Sequence, residues 1–275
     1  MPELPEVETV VTTLRSKLIG QKLQKIKPIS PSSVILLNKF SIFVVKEILR
    51  RGKYIILKGT NELLTIHLRM TGRLLEVPVH PHFVRAQLLF ENVTLNFEDM
   101  RKFGRIVFAK NLSLEQFPGL NNLGPEPLQQ NFGNLLAPKL RKASVALKTF
   151  LLNQKNIAGI GNIYADEICF HAKISPFRTT SSLTKKEQQQ LFESIQFILK
   201  KAIKLRGTTF AHFVDANGKK GNNFEYLQVY GRRGKLCFIC NKPLLSKKLQ
   251  GRTTVYCGTC QKEKSPKTKR SLYSR

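Results

Sequence analysis

Two groups of residues in this chain have types and spacings that could carry chemistry. The first is Met1 with Pro2: removal of an initiator methionine ahead of a small residue is expected, leaving the secondary amine of proline at the chain start. An α-amino group titrates near about 7.7 to 8.0 and a lysine near about 10.4, so far more of a terminus is neutral, and nucleophilic, under physiological conditions. The ordinary alternative is that Pro2 and Pro5 only begin a helix, which their fixed φ suits. The second group is Cys237, Cys240, Cys257 and Cys260, two CxxC pairs with sixteen residues between them. Each pair lets a tight turn offer two thiolates to one tetrahedral ion. This is the spacing of a zinc ribbon, and four protein thiolates leave no position open for a substrate water. One structural zinc per monomer is therefore expected. Disulfides are the alternative, against which the odd total of five cysteines and the CxxC pairing both argue. Cys169, between Ile168 and Phe170, reads as a buried small hydrophobe.

The chain carries 46 Lys and Arg against 18 Asp and Glu, a formal net charge of +28. Such a field attracts a polyanion and opposes self-association, so nucleic acid is the expected partner and a monomer the expected state. Charge alone also suits a ribosome-type binding protein or an ordinary basic surface. No apolar run approaches the roughly 20 residues that cross a bilayer, and the first residues lack a signal-peptide pattern. The expectation is no membrane association and a cytoplasmic, nucleoid-associated protein.

These groups need elements to position them. Val7, Val10, Val11, Leu14 and Leu18 keep helical spacing over 4–20, with Gly20 as a stop. Glu6 and Glu8 then read as first-turn carboxylates favourable to the helix dipole. Short β-branched and aromatic runs follow at 41–49, 54–57, 63–67, 84–90 and 105–109, divided by Gly52, Gly59, Asn61 and Asn92, and predict a β-sandwich or barrel. The stretch FPGLNNLGPEP at 117–127 reads as a linker. Helical patterns occupy 132–153, as one or two helices, and a turn-rich segment at 154–161 leads into a further helix through His171. Thr184 with Glu187 forms a capping box for a helix to about Leu205.

Five segments together carry a resemblance: MPELPEVETV at the start, LGPEPL at 123–128, IAGIGNIYADE at 157–167, LQVYGRRG at 227–234, and the four-cysteine ribbon. In this order, over nearly the whole chain, they resemble the formamidopyrimidine-DNA glycosylase family. The resemblance implies an α+β multidomain protein: an N-terminal catalytic β-sandwich with flanking helices (1–116), a linker (117–130), a helix-two-turns-helix domain (131–230) and a β-hairpin zinc finger (231–262). A basic tail over 263–275, read as disordered, completes it. The implied activity is that of a bifunctional glycosylase and abasic-site lyase. It would excise 8-oxoguanine and formamidopyrimidines from double-stranded DNA through a Schiff base with Pro2, then carry out β,δ-elimination. An iminium made from a secondary amine has no N–H proton to lose and stays an electron sink, which suits both eliminations.

Glu3 resembles the family's catalytic acid, beside the nucleophile. Lys53 in RRGKYIIL resembles a lysine implicated in phosphate contact and β-elimination, although a solvated turn lysine is its ordinary reading. Arg252 in GRTTVY resembles the finger arginine that contacts phosphates and assists the second elimination. His67 and His82 resemble DNA-contacting histidines, and Lys148 a phosphate or lesion contact. Asn162 sits where a helix N-terminus would present free N–H groups to a phosphate. Met70, Arg101 and Phe103, from HLRMTG and DMRKFG, suit a wedge that fills the vacated stack, separates its neighbour and satisfies the orphaned base. The stretch 215–223 resembles the loop that closes over a flipped base.

The pattern is departed from at Arg85, where a second histidine is associated with the family, at Ala143, which replaces a DNA-contacting lysine, and in the length of the tail. Two other functions compete: the sister endonuclease VIII type, which prefers oxidised pyrimidines, and a non-catalytic zinc-stapled nucleic-acid binder. Leu4 and the Met70, Arg101, Phe103 set favour the purine enzyme.

Overall fold

The structure is a computed structural model and describes residues 1–211, 213–261 and 263. The first helix, α1 (Leu4–Leu18), starts just after Glu3, and Gly20 beyond its end takes a φ of +83° that favours glycine. Ten strands follow: β1 (Lys22–Pro28), β2 (Val34–Leu36), β3 (Phe43–Val44), β4 (Glu47–Arg51), β5 (Tyr54–Lys58), β6 (Glu62–His67), β7 (Arg73–Leu75), β8 (Val84–Phe90), β9 (Thr94–Glu98) and β10 (Arg105–Lys110). They form two five-stranded sheets, β3-β1-β8-β9-β7 and β2-β10-β6-β5-β4, antiparallel except where β2 meets β10.

Strand β8 shows why the sheets pack face to face. Val84, Ala86, Leu88 and Phe90 are buried on one side while Arg85, Gln87 and Leu89 are half-buried on the other, the period-two pattern of a sandwich. Strand β6 is instead buried on both faces. Its outer face, with Ile56 and Ala109, is covered by Phe117 and Leu120. The stretch expected as a linker is thus partly a lid on the second sheet. The single run expected at 41–49 divides into β3 and β4, because the chain passes there from one sheet to the other. Val45 exchanges backbone bonds with Gly20 and Gln21, and Lys46 bonds to Lys58 on β5.

The helical part contains α2 (Phe132–Lys142), α3 (Leu147–Leu152), α4 (Asn162–His171) and α5 (Lys185–Lys204), the last opened by the Thr184–Glu187 capping box. A hairpin of β11 (Leu245–Leu249) and β12 (Arg252–Tyr256) follows, turning at Gln250 and Gly251, both with positive φ. No helix among the described residues is long and apolar enough to cross a membrane.

Helix α1 belongs to both halves. Val7, Val10, Val11, Leu14 and Leu18 enter the sandwich core, whereas Leu4 enters the core of α2 to α5. The Leu4 N–H donates to the carbonyl of Gly159 at 3.0 Å, and a Cβ on Gly159 would lie 2.7 Å from that of Leu4. Gly159 also has a φ of +92°, so any side chain there is strained twice over. Gly159→Ala is expected to lower unfolding free energy by roughly 1–3 kcal/mol. Urea titration checks this, and a variant as stable as the parent would show that the close approach is dispensable.

Candidate functional site

The chain start is held by carboxylates. Pro2 is buried, and Glu3 beside it, only 2% exposed, reaches across to the N-terminus of α4. Its oxygens accept from the N–H groups of Gly161 at 2.6 Å, Ile163 at 2.9 Å and Tyr164 at 3.4 Å. These are the unpaired donors of a helix end, whose dipole also favours the anion. A Cβ on Gly161 would fall 2.4 Å from the Glu3 carboxyl carbon, so only glycine permits the approach. One turn on, Glu6 accepts from the N–H of Glu3 at 2.8 Å, the hydroxyl of Tyr164 at 2.5 Å and the N–H of Thr208 at 2.7 Å. Burial, reinforced by the neighbouring Glu3 carboxylate, pushes the Glu6 carboxyl up to about 7. Burial also lowers the terminal amine, here that of Met1, below its ordinary value.

Pro2 and Glu6 lie on the wall of a cavity of about 370 Å³ that also meets Met70, Arg101, Thr208 and Phe210. The wedge candidates therefore stand together at the mouth of the site. Met70 is 42% and Phe103 50% exposed, and the Arg101 guanidinium lies 4.9 Å over the Phe103 ring. Buried Asp99, to which the sequence reading gave no role, fixes this loop. Its carboxylate accepts from the N–H groups of Arg101 at 3.2 Å and Gly104 at 2.6 Å, and from the Thr71 hydroxyl. The stretch resembling a closing loop is ordered around Asp215, which accepts from the N–H groups of Asn217 and Lys219 and pairs with Arg206. Its Ala216 packs into the sandwich core.

Lys53 occupies the two-residue turn between β4 and β5, beside Gly52 with a φ of +56°. It is buried, and burial lowers its ammonium below the usual value, with Glu3 opposing and Arg252 adding to the effect. The turn is clamped by Glu126 from the GPEP segment. One Glu126 oxygen accepts from the Gly52 N–H at 2.6 Å and from Arg51 at 2.9 Å, while the other meets Arg50 at 2.6 Å. Arg50 in turn holds Glu8 at 2.7 Å, so Glu8 is a tie to β4 as well as a first-turn charge. His67 faces Tyr54 edge-on, and its Nδ1 accepts from the Arg69 N–H at 3.0 Å, which requires an unprotonated nitrogen. Burial, with Arg69 and Lys53 nearby, brings its imidazole down to about 3. His82, by contrast, is exposed within a ring cluster with His80 and Phe83 and does not line the cavity at Pro2. Arg85, the departure from the family pattern, donates to the Asp99 carbonyl at 2.8 Å.

At the finger, the four cysteine sulfurs lie within 4.8 Å of one another. The Cys240–Cys257 and Cys237–Cys260 separations, 3.4 and 3.9 Å, are too long for S–S bonds and bracket the edge of about 3.8 Å that a tetrahedral zinc–thiolate site requires. Cys169 is fully buried and desolvation pushes its thiol well up, as befits a core residue. Arg252 is exposed at the hairpin tip, and Asn162 lies beside the same strand, its amide 3.5 Å from the Thr253 carbonyl.

Lys148 departs from expectation. It is fully buried, with its ammonium 2.7 Å from Asp166 and 3.0 Å from the Thr253 carbonyl, while Asp166 also accepts from the Val255 N–H at 3.0 Å. A lysine enclosed in this way cannot meet a phosphate at the surface. It neutralises a buried carboxylate and seats β12 on α3 and α4. The neighbouring Glu167 does the same for 228–230, accepting three backbone N–H groups at 2.9 Å.

A β-sandwich joined through its first helix to a helix-two-turns-helix domain, with a four-cysteine hairpin beside it, defines the class. Residues 1–106 match the Formamidopyrimidine-DNA glycosylase N-terminal domain and residues 123–214 the Formamidopyrimidine-DNA glycosylase H2TH domain. The formamidopyrimidine-DNA glycosylase of Pelotomaculum thermopropionicum is 42% identical, over 96% of this chain and all of that protein. Among solved structures, MutM (Fpg) from Thermus thermophilus superposes with a TM-score of 0.88 at 36% identity, covering 96% of this chain and all of that one. A Lactococcus lactis Fpg mutant in complex with Fapy-dG containing DNA gives 0.85 at 35% identity, covering 95% of this chain and all of that one. The chain belongs to the formamidopyrimidine-DNA glycosylase family.

Two predictions follow from the buried charges. Lys148→Met leaves Asp166 uncompensated and should cost about 3–5 kcal/mol, much of it recovered by adding Asp166→Leu. Loss of DNA binding at unchanged stability would instead restore Lys148 as a surface contact. For His67 the folded pKa lies below the unfolded value, so the stability it contributes is present above about 6.5 and lost as pH falls towards about 3. His67→Asn should flatten the fall in unfolding free energy, measured by urea titration, over that window by at most about 1.4 kcal/mol per pH unit. Equal slopes for the two proteins would place the titration elsewhere.

Proposed function

We propose that this protein is a bifunctional DNA glycosylase and abasic-site lyase that removes oxidised purines, 8-oxoguanine and formamidopyrimidines, from duplex DNA. The observation that carries this reading is the placement of Pro2 on the wall of the 370 Å³ cavity, with Glu3 anchored beside it and the wedge candidates at the mouth. With Met1 removed, the Pro2 amine attacks C1′, the C1′–N bond breaks, and its electron pair leaves with the base. Glu3 manages the protons of ring opening, and Glu6, titrating near 7, is a second group able to hold a proton at the cavity wall. The iminium has no N–H proton. Loss of a C2′ proton expels the 3′ phosphate, and a second elimination expels the 5′ phosphate.

Lys53, Arg252 and Asn162 hold the phosphates on either side of the flipped nucleotide, with His67 and exposed His82 as further backbone contacts. Met70, Arg101 and Phe103 fill the gap and offset an unstacking cost of a few kcal/mol. The cysteine cluster takes one zinc per chain; when bound, zinc staples the knuckles, and with four protein thiolates it offers no open position for catalysis. The net charge of +28 suits a monomer that gathers DNA by counterion release.

Excision from 8-oxoguanine:cytosine and thymine glycol duplexes tests the lesion class. The purine lesion should be cut at least about tenfold faster, a discrimination of about 1.4 kcal/mol, leaving phosphates at both ends of the gap. The reverse preference would identify an endonuclease VIII type of activity, and binding without cleavage a non-catalytic protein. Metal analysis should find one zinc per chain, and chelation should abolish DNA binding while the sandwich stays folded. Normal binding and cleavage by metal-free protein would remove zinc from the account.

A further inference from the structure

We propose that a second cavity, between the ends of α4 and α5, the 223–228 segment and the first cysteine knuckle, is a docking site for an acidic peptide that inserts one bulky apolar side chain. The cavity measures about 450 Å³, within the range that takes a side chain or small ligand. Phe170, Ile198 and Leu227 supply apolar lining, and Phe197, Tyr226 and Ile239 stand at it with 52, 48 and 60% of their surface exposed. Leu236 and Phe238, on the same cysteine knuckle as Ile239, are 57 and 63% exposed. Exposed apolar residues gathered at a cavity mark an interaction site more often than scattered single ones do.

The charge is of one sign. Lys173 and Lys201 line the cavity, and the only carboxylate among the described residues lining it, Glu167, is spent on three backbone N–H groups. An acidic partner is therefore the complement. Each exposed ring is already braced on one face, Phe197 by His171 at 4.6 Å, Tyr226 by Lys201 at 5.1 Å and Phe238 by Arg232 at 3.5 Å, and competition by oligothymidylate decides between a peptide and a stacked base.

The cavity backs onto the catalytic one, since its Tyr164 and Asn223 bond to Glu6 and Thr208 of that wall, but Phe197, stacked on His171, stands at the far end of α4. His171 ends the ten-residue α4, whose other end holds Glu3, a helix length of about 15 Å. Ile239 lies at the cysteine end of the hairpin, and Arg252 at its opposite tip, about 15 Å along five-residue strands.

The test uses the full chain with short fluorescent peptides of Asp and Glu carrying one Phe, against the same peptide with Ser in its place. The Phe peptide should bind at least about tenfold tighter. Phe197→Ser and Tyr226→Ser should each remove that preference, Lys201→Glu should weaken both peptides, and Lys25→Glu on β1 should change nothing. Excision of damaged duplex by the variants reports that they are folded, and bound duplex should not displace the peptide. Equal binding of the two peptides, retention of the preference in both cavity variants, or displacement by duplex or oligothymidylate would overturn the proposal.

Discussion

The bond on which the rest depends is the seat of the Glu3 carboxylate on the first N–H groups of α4. Charge-assisted hydrogen bonds of this kind contribute about 1.5–3 kcal/mol each, and here they join residues some 160 positions apart. The geometry sets conditions on both partners. Gly161 must lack a side chain, Gly159 must accept Leu4, and Leu4 must enter the helical core while the next turn of α1 enters the sandwich. Whatever Pro2 does chemically, it does at a place set by the helical domain.

The same device recurs. Glu6 takes the Thr208 N–H, Glu126 that of Gly52, Asp99 those of Arg101 and Gly104, Asp166 that of Val255, and Glu167 those of 228–230. Apart from Asp99, whose partners are two and five residues on, these carboxylates cross-link segments remote in sequence, and their donors offset part of a desolvation that still holds Glu6, Asp166 and Glu167 above the usual carboxylate range. Seven of the eighteen acids, Glu3, Glu6, Glu98, Asp99, Asp166, Glu167 and Asp215, are buried. That withdraws negative charge from the surface and leaves the exterior more basic than the net charge alone conveys.

What was legible in the sequence was local. The spacing in α1, the alternation in β8, the Thr184 capping box and the two CxxC pairs are short-range patterns, and the structure carries each of them. Met70, Arg101 and Phe103, drawn from two separate motifs, stand close together. Lys148 was misread because the carboxylate that neutralises it lies on another helix, eighteen residues on, and only folding shows that both are enclosed. Glu126 and Asp99 went unassigned because much of what they hold is backbone N–H, that of Gly52 and those of Arg101 and Gly104, which no sequence spells out. The break at Val45 reflects a passage between sheets, which a continuous β-branched run conceals.

The chain terminus, anchored through Glu3, is the proposed nucleophile, and borohydride reduction during turnover traps the imine it would form. The reduced adduct should join protein to DNA, peptide mapping should place it on residue 2 with Met1 absent, and a protein that retains Met1 should trap little or none. An adduct mapped to Lys53, with full activity in a protein blocked at its N-terminus, would contradict the account.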